Sequence, residues 1–155
     1  MFDSVTTIDS RSDQSAAFEH IARGFFEHHG IWDPSVVSMT KTSDGPVGPG
    51  TTGLEGRRFG PSRIVSEIVV TAFEPDRRFG FETTKGPMSE RLDCLIEARP
   101  GGSRVRLHIR LAGVALPLRI MEPLMRPMFA RNLRANTERM RLALDAAASG
   151  GSQHT

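Results

Sequence analysis

The strongest candidate for chemistry is an acid that shares a face with apolar residues. In the segment MSERLDCLIEAR, Glu90 has the same parity as Leu92, Cys94 and Ile96. Residues two apart in a β-strand point to the same side of a sheet, so Glu90 is predicted to face the apolar side. A carboxyl group there could position a ligand, or act as a general base if desolvation raised its pKa. Alternatively, Glu90 lies at the end of its strand and reaches solvent.

The sequence does not predict a site made by the other nucleophilic and metal-ligating side chains. Cys94 is the only cysteine, and alternation places it on the apolar face, whereas His108 belongs to a charged face. Side chains on opposite sides of a sheet cannot form a nucleophile–base pair. His28 and His29 are adjacent, and neighbouring helical residues point about 100° apart, so they cannot chelate one metal ion and are predicted to form a polar helix end. We therefore expect no metal and no cofactor.

Composition restricts the class of protein. The chain has 155 residues, of which 38% are hydrophobic and 25% charged, which is typical of one globular domain and excludes a disordered chain. A dispersed net charge of +2 is too small to indicate nucleic-acid binding. No apolar run approaches the ~18 residues of a transmembrane helix, and the first residues lack the apolar core of a secretory signal. We expect a cytoplasmic monomer or homodimer without an integral membrane segment.

Hydrophobic spacing predicts the elements that position these groups. Residues 2–9 are rich in types that favour strands. Apolar residues from Ala16 to Phe26 then recur at helical spacing, with Gly24 dividing them into two short helices and Gly30 ending the second. After a strand near Val36 and a glycine-rich loop, short turns separate the strands of an antiparallel meander, which are residues 54–59, 64–73, 77–84, 88–99 and 104–111.

Residues 118–147 form the longest predicted element. Apolar residues fall at steps of three and four from Met121 to Leu144, which predicts one amphipathic helix. Pro123 and Pro127 are expected to kink or divide its first half, since each removes a backbone donor. Arginines make the remaining faces basic, which is typical of a solvated surface or of one that docks to an acidic partner or an anionic membrane. Residues 148–155 are expected to form a flexible tail.

The order of these elements, together with several segments, resembles a known superfamily. The similar segments are FEHIARGFFEHHGIWDPSV (18–36), DGPVGPGT (44–51), VTAFEPDRRFGF (70–81) and the final helix. The sequence resembles the START/Bet v 1-like (SRPBCC) superfamily, especially its bacterial polyketide cyclase/dehydrase-like group. The resemblance implies an α+β helix-grip fold over residues 1–147, in which a curved antiparallel sheet of about six or seven strands wraps around the C-terminal helix. Two short helices follow the first strand, and a hydrophobic cavity lies between sheet and helix.

Alternation and the helical stripe give the expected walls of this cavity. They are Trp32, Phe79, Phe81, Glu90, Leu92, Cys94, Ile96, Leu107, Met121, Met125 and Phe129. The parity of residues 54–59 is ambiguous, because either Glu55 and Arg57 or Arg58 can face inward. The leading hypothesis is binding of a small hydrophobic, lipid- or polyketide-like molecule. The alternatives are a polyketide cyclase/dehydrase-type enzyme that uses Glu90 or a pocket arginine, and a protein-interaction module that acts through the basic helix.

Overall fold

The computed structural model describes residues 1–151, and the side chains of residues 1–148. Within this part of the chain, one sheet carries three helices. The strands are β1 (Phe2–Ser10), β2 (Val36–Lys41), β3 (Thr52–Phe59), β4 (Ser62–Glu74), β5 (Arg78–Lys85), β6 (Met88–Arg99) and β7 (Gly102–Gly113). The helices are α1 (Gln14–Phe18), α2 (Phe25–Trp32) and α3 (Leu116–Gly151), and a π-helical turn at Glu19–Arg23 lies between the first two.

Sequential hairpins build most of the sheet. Its order is β1-β7-β6-β5-β4-β3-β2 and every pair is antiparallel, so β2 to β7 form a meander and β1 returns beside β7. Register shifts interrupt the β4–β5 ladder near Ile68 and Val70, and such bulges increase the bend and twist of a strand. The sheet curves around α3, and the predicted α+β class and helix-grip fold are confirmed.

The short helices follow the predicted pattern with one difference. Asp13 caps α1, because its Oδ1 accepts the backbone N–H of Ala16 at 2.7 Å. Gly24 separates the π-helical turn from α2 as predicted, and a Cβ there would lie 2.4 Å from Nδ1 of His28. Gly30 does not end α2, which continues to Trp32. The continuation of the helix to Trp32 buries the Trp32 side chain in the hydrophobic core, which offsets the cost of a helical glycine.

α3 has 36 residues and is held at both ends. Near its start, a Cβ on Gly113 of β7 would lie 2.7 Å from the backbone nitrogen of Arg119, so glycine is required for this close approach. Near its end, Asp145 accepts the Ser10 hydroxyl at 3.1 Å and the Arg11 backbone N–H at 2.9 Å. Neither α3 nor any other helix of the described residues has the length and apolar composition needed to cross a membrane.

α3 continues through Pro123 and Pro127, so the two prolines do not divide it. Pro123 and Pro127 both lie on the exposed side of the helix, where water can bond the carbonyl groups that lose their intrahelical donors. The helix also continues to Gly151, into the segment expected to form a flexible tail. Residues 152–155 of that segment lie outside the described residues.

Candidate ligand site on the concave face

Burial decreases along the concave face from one end of the strands to the other. On β7, Val105 is fully buried and Leu111 is half-buried, while on β6 Ile96 is buried and Glu90 is half-buried. Ile96 pairs with Val105 and Glu90 with Leu111, so the two gradients coincide. We call the fully covered part the closed end, and it comprises Phe79, Phe81, Cys94, Ile96 and Val105. The boundary is formed by Leu92 and Leu107. The open end comprises the half-buried Met88, Glu90, Ile109 and Leu111.

The closed end is filled by side chains from α2. The ring centroid of Phe25 lies 4.9 Å from those of Phe79 and Phe81, and all three side chains are fully buried. Trp32 belongs to the same core and donates its Nε1–H to Nε2 of His20 at 3.0 Å. Close packing of this kind is that of a protein interior. Much of the expected cavity wall is therefore hydrophobic core, namely Trp32, Phe79, Phe81, Leu92, Cys94, Ile96 and Leu107.

α3 covers part of the open end. Met125 is 7% exposed, and the ring of Phe129 lies 5.7 Å from that of Phe2, the strand partner of Leu111. Met121 lies one turn before Met125 on the same side of α3, but it is 48% exposed and is therefore much less covered than Met125. On the concave face, the apolar side chains that remain partly accessible are thus those of the open end, Met88, Ile109 and Leu111.

One arginine near the open end contacts three carboxyl groups. Nη1–H of Arg57 donates to Oδ2 of Asp33 at 2.6 Å, and Nε–H donates to Oε1 of Glu55 at 3.1 Å. Nη2–H donates to Oε2 of Glu90, which reaches across from β6, at 3.0 Å. Glu55 and Arg57 therefore face inward and Arg58 is exposed, which resolves the parity of β3. The Arg57 cluster comprises Arg57, Asp33, Glu55, Glu90 and His29.

Two accessible hydrogen-bonding groups of the cluster, one donor and one acceptor, are unused, besides the buried Nδ1 of His29 and Oε2 of Glu55. Nη1 of Arg57 also donates to Oγ of Ser35 at 2.8 Å, so four of the five guanidinium N–H groups are engaged. Within the described residues, the second Nη2–H of Arg57 and Oε1 of Glu90 have no partner. The side chains of Arg57 and Glu90 are 23% and 15% exposed, so a small molecule can reach both groups.

Glu90 has a proton affinity suited to neutral pH. Burial raises the pKa of its carboxyl group to about 7, and Arg57 opposes this shift while Glu55 and Asp33 add to it. A carboxyl group whose pKa lies near the working pH is present in both protonation states. It can therefore accept and donate a proton.

Asp33 and His29 have pKa values that are shifted away from neutral pH. Burial raises the pKa of Asp33, but Arg57 and the Ser35 hydroxyl outweigh burial and hold that pKa below its usual range. Burial lowers the pKa of His29, and Glu55 opposes this only in part. His29 is therefore neutral, and its Nδ1 approaches Oε2 of Glu55 to 3.5 Å without forming an ion pair. One guanidinium faces three carboxyl groups, so negative charge is in excess.

The interpretation of His29 as part of a polar helix end is wrong. The side chain is 6% exposed, and its ring stacks on Phe25 with centroids 4.9 Å apart. A signal for this burial exists in the sequence, because Phe25, His29 and Trp32 follow one another at steps of four and three. That spacing places all three on one face of a helix.

Other reactive side chains stay outside the site. Burial raises the pKa of the Cys94 thiol to about 12, so it is not a thiolate at neutral pH. His108 lies on the opposite face of the sheet, where its Nε2 is 2.8 Å from Oδ1 of Asp3. Among the described residues, no group of three or more His, Cys, Asp and Glu side chains is arranged to hold a metal ion.

The fold and the site define a class, a helix-grip protein whose apolar concave face ends in a charged cluster. The family described as "Polyketide cyclase / dehydrase and lipid transport" matches residues 1–145. The chain belongs to this family. None of the curated proteins matches the sequence.

Solved structures share the fold at low sequence identity. The protein TTHA0849 from Thermus thermophilus is 14% identical, with a TM-score of 0.68 over 97% of this chain and 98% of that one. A START superfamily protein from Mycobacterium smegmatis is 9% identical, with a TM-score of 0.70 over 94% and 99% of the two chains. The di-domain ARO/CYC StfQ from the steffimycin biosynthetic pathway is 10% identical, with a TM-score of 0.70. This match covers 96% of the present chain and 51% of StfQ.

Proposed function

We propose that the chain binds a small hydrophobic, polyketide- or lipid-like molecule at the open end of the concave face. The observation that carries the proposal is the change from a filled to a half-buried apolar face along the same strands. Met88, Ile109 and Leu111 supply apolar surface there. Covering such surface is worth about 25 cal/mol per Å² before the costs of association are subtracted.

The Arg57 cluster would orient the ligand. The unused Nη2–H of Arg57 suits a carbonyl oxygen, whereas the excess of carboxyl groups disfavours an anionic ligand. The ligand is therefore not an anion, and it has an apolar body with a carbonyl or hydroxyl group at one end. Family membership supports a ligand of this kind.

Acid–base catalysis on the bound molecule is a second candidate function, favoured by the pKa of about 7 at Glu90. If a ligand carbonyl accepts the Nη2–H of Arg57, an adjacent C–H or hydroxyl group comes near Oε1 of Glu90. Glu90 would then remove or return a proton, as cyclisation or dehydration of a ketide chain requires. A positioned acid–base group typically accelerates a reaction by about 10²–10⁴-fold.

Binding is tested by titration with the neutral apolar fluorophore N-phenyl-1-naphthylamine. The fluorophore is excited at its own absorption band and not by energy transfer from tryptophan. Leu111→Trp should fill the open end and weaken binding by at least about tenfold. Leu95→Trp is the matched control, because Leu95 is 36% exposed on the outer face of β6. Equal affinities of the two folded variants would contradict the proposed site.

Catalysis is tested separately on a β-hydroxy ketone of medium chain length, by following its dehydration. Glu90→Gln should reduce the rate by about 10²-fold or more while N-phenyl-1-naphthylamine still binds. The wild-type rate should show an inflection near the Glu90 pKa of about 7. An unchanged rate in Glu90→Gln with intact binding would reject catalysis and leave the binding function standing.

A further inference from the structure

The first half of α3 exposes a row of large apolar side chains. Leu116, Ile120 and Leu124 follow one another at steps of four, and their exposures are 68%, 68% and 81%. Residues four apart lie above one another on a helix, so the three side chains form one continuous row. Val114 and Met121 beside it are 58% and 48% exposed. We call Leu116, Ile120 and Leu124 the α3 ridge.

This exposure is not a consequence of how α3 packs on the sheet. The opposite side of the same turns already supplies the packing surface through Met125 and Phe129. Leu124 is more exposed than any other large hydrophobic residue described. Single exposed leucines are common on protein surfaces, but a contiguous apolar row indicates an interaction surface.

The charges around the α3 ridge are almost all positive. Arg119, Arg126, Arg131 and Arg134 are exposed, and within the described residues none of them pairs with a carboxylate. The one acid between Val114 and Ala135 is Glu122, which is 8% exposed. Glu122 turns inward to the amino group of Met1 and the backbone N–H of Gly113. The ridge therefore presents leucine, isoleucine and arginine without exposed negative charge.

We propose that the α3 ridge docks on the surface of a membrane that contains anionic lipids. An amphipathic helix with apolar residues on one face and cations beside them lies in the interface plane, with its apolar side chains among the acyl chains. Each arginine near an anionic surface adds about 1 kcal/mol of attraction. The ridge projects from a convex helix, and a fluid bilayer accommodates such a shape without a preformed groove.

A second copy of this chain fits the α3 ridge less well. A symmetric dimer through the ridge would bring the arginines of one copy close to those of the other, without exposed acids nearby to pair with them. Like charges in a water-excluded contact are strongly unfavourable. An acidic protein partner would need a groove complementary to the three side chains, whereas an anionic bilayer meets both the charge and the apolar requirement.

The proposal goes beyond ligand binding and does not rest on it. If both hold, docking brings the open end of the concave face close to the bilayer, because Phe129 on the same half of α3 covers that end. A hydrophobic molecule could then pass between the membrane and the site with little exposure to water.

The test is co-sedimentation of the full chain with vesicles. Phosphatidylcholine vesicles with about one-third phosphatidylglycerol should bind the protein at least about tenfold more tightly than pure phosphatidylcholine vesicles, and salt should weaken this binding. Leu124→Gln should reduce binding about tenfold. Leu142→Gln, at a 54% exposed position in the second half of α3, should leave binding unchanged. Arg119→Gln combined with Arg131→Gln should remove the preference for the anionic vesicles.

Three results would overturn the proposal. The first is absence of binding to either vesicle, and the second is an equal loss in Leu124→Gln and Leu142→Gln. The third is a dimer, seen by sedimentation equilibrium, that Leu124→Gln dissociates, because a second copy would then cover the ridge. If a purified acidic protein binds at the ridge and vesicles do not, the proposal is also overturned, because vesicle binding is then absent. Circular dichroism on each variant verifies that the chain is folded.

Discussion

The two ends of the concave face belong to the same strands but have opposite chemistry. At the closed end, Phe25 from α2 packs on Phe79 and Phe81, and these side chains are fully buried. At the open end, Met88 and Glu90 of β6 and Ile109 and Leu111 of β7 are half-buried, and a charged cluster lies beside them. The difference comes from the covering helices, since α2 fills one end while α3 only partly covers the other.

Residues that stabilise the fold and residues available for function lie at different ends of the concave face. Apolar burial at the closed end contributes directly to stability. The Arg57 cluster contributes less, because moving charges out of water costs about as much as their mutual attraction returns. An excess of carboxyl groups around one guanidinium is therefore better explained by a requirement for ligand contact or proton transfer than by stability.

The largest effect on stability is expected from a substitution that leaves a cavity at the closed end. Phe81→Ala should lower the free energy of unfolding by about 3–5 kcal/mol, because it removes a fully buried ring and leaves a cavity. Leu111→Ala at the open end should cost less than half as much, because Leu111 is only half-buried. Urea unfolding of both variants measures the difference. Equal costs would show that the two ends are packed alike.

Breaking the Arg57 cluster should have the next largest effect. Arg57→Met leaves three carboxyl groups without their common partner and should destabilise the fold by about 3 kcal/mol at pH 8. The loss should be smaller at pH 5, where Glu90 is protonated because its pKa is about 7. Urea unfolding at the two pH values tests this, and a loss that does not depend on pH would contradict the assignment of Glu90.

Glu90 should give the protein a characteristic pH dependence of stability. Its pKa rises from 4.5 in the unfolded chain to about 7 in the fold, so between these values the folded state holds the extra proton. Stability should therefore fall as the pH rises from about 4.5 to 7, and then stay level. Glu90→Gln mimics the protonated acid and should gain stability relative to wild type over the same range.

The difference between wild type and Glu90→Gln is the appropriate measurement. The groups that face Glu90 are Arg57, Glu55 and Asp33, with His29 behind Glu55. His29 contributes the opposite slope, because burial lowers its pKa, and this contribution cancels in the difference. A difference that is flat from pH 4 to 8 would mean that folding does not shift the pKa of Glu90.

The smallest effect is expected at the outer face. His108→Ala removes one contact to Asp3 at a side chain that is 31% exposed, and should change the free energy of unfolding by less than about 0.5 kcal/mol. Binding of N-phenyl-1-naphthylamine should not change. A weaker affinity in this variant would indicate that the ligand binds on the other face of the sheet.

Much of the fold can be predicted from the sequence, but the division of the concave face into a closed end and an open end cannot. Alternation in β6 is regular, and it predicts the inward face that carries Glu90 and Cys94. In β3, charged residues occur at both parities, so Arg57 and Arg58 could not be told apart without the sheet. Which strand positions α2 covers depends on the path of the chain between β1 and β2, and local spacing carries no information about that path.

We propose that the open end, and not the closed end, receives the ligand. Methyl NMR of the isotopically labelled chain, titrated with N-phenyl-1-naphthylamine, tests it most directly. We predict large, saturable shifts for the methyl groups of Met88, Ile109 and Leu111, and small ones for Ile96 and Val105, which are 1% and 0% exposed. Dominant shifts at Ile96 and Val105, or shifts confined to the exposed Val5 on the outer face, would contradict the account.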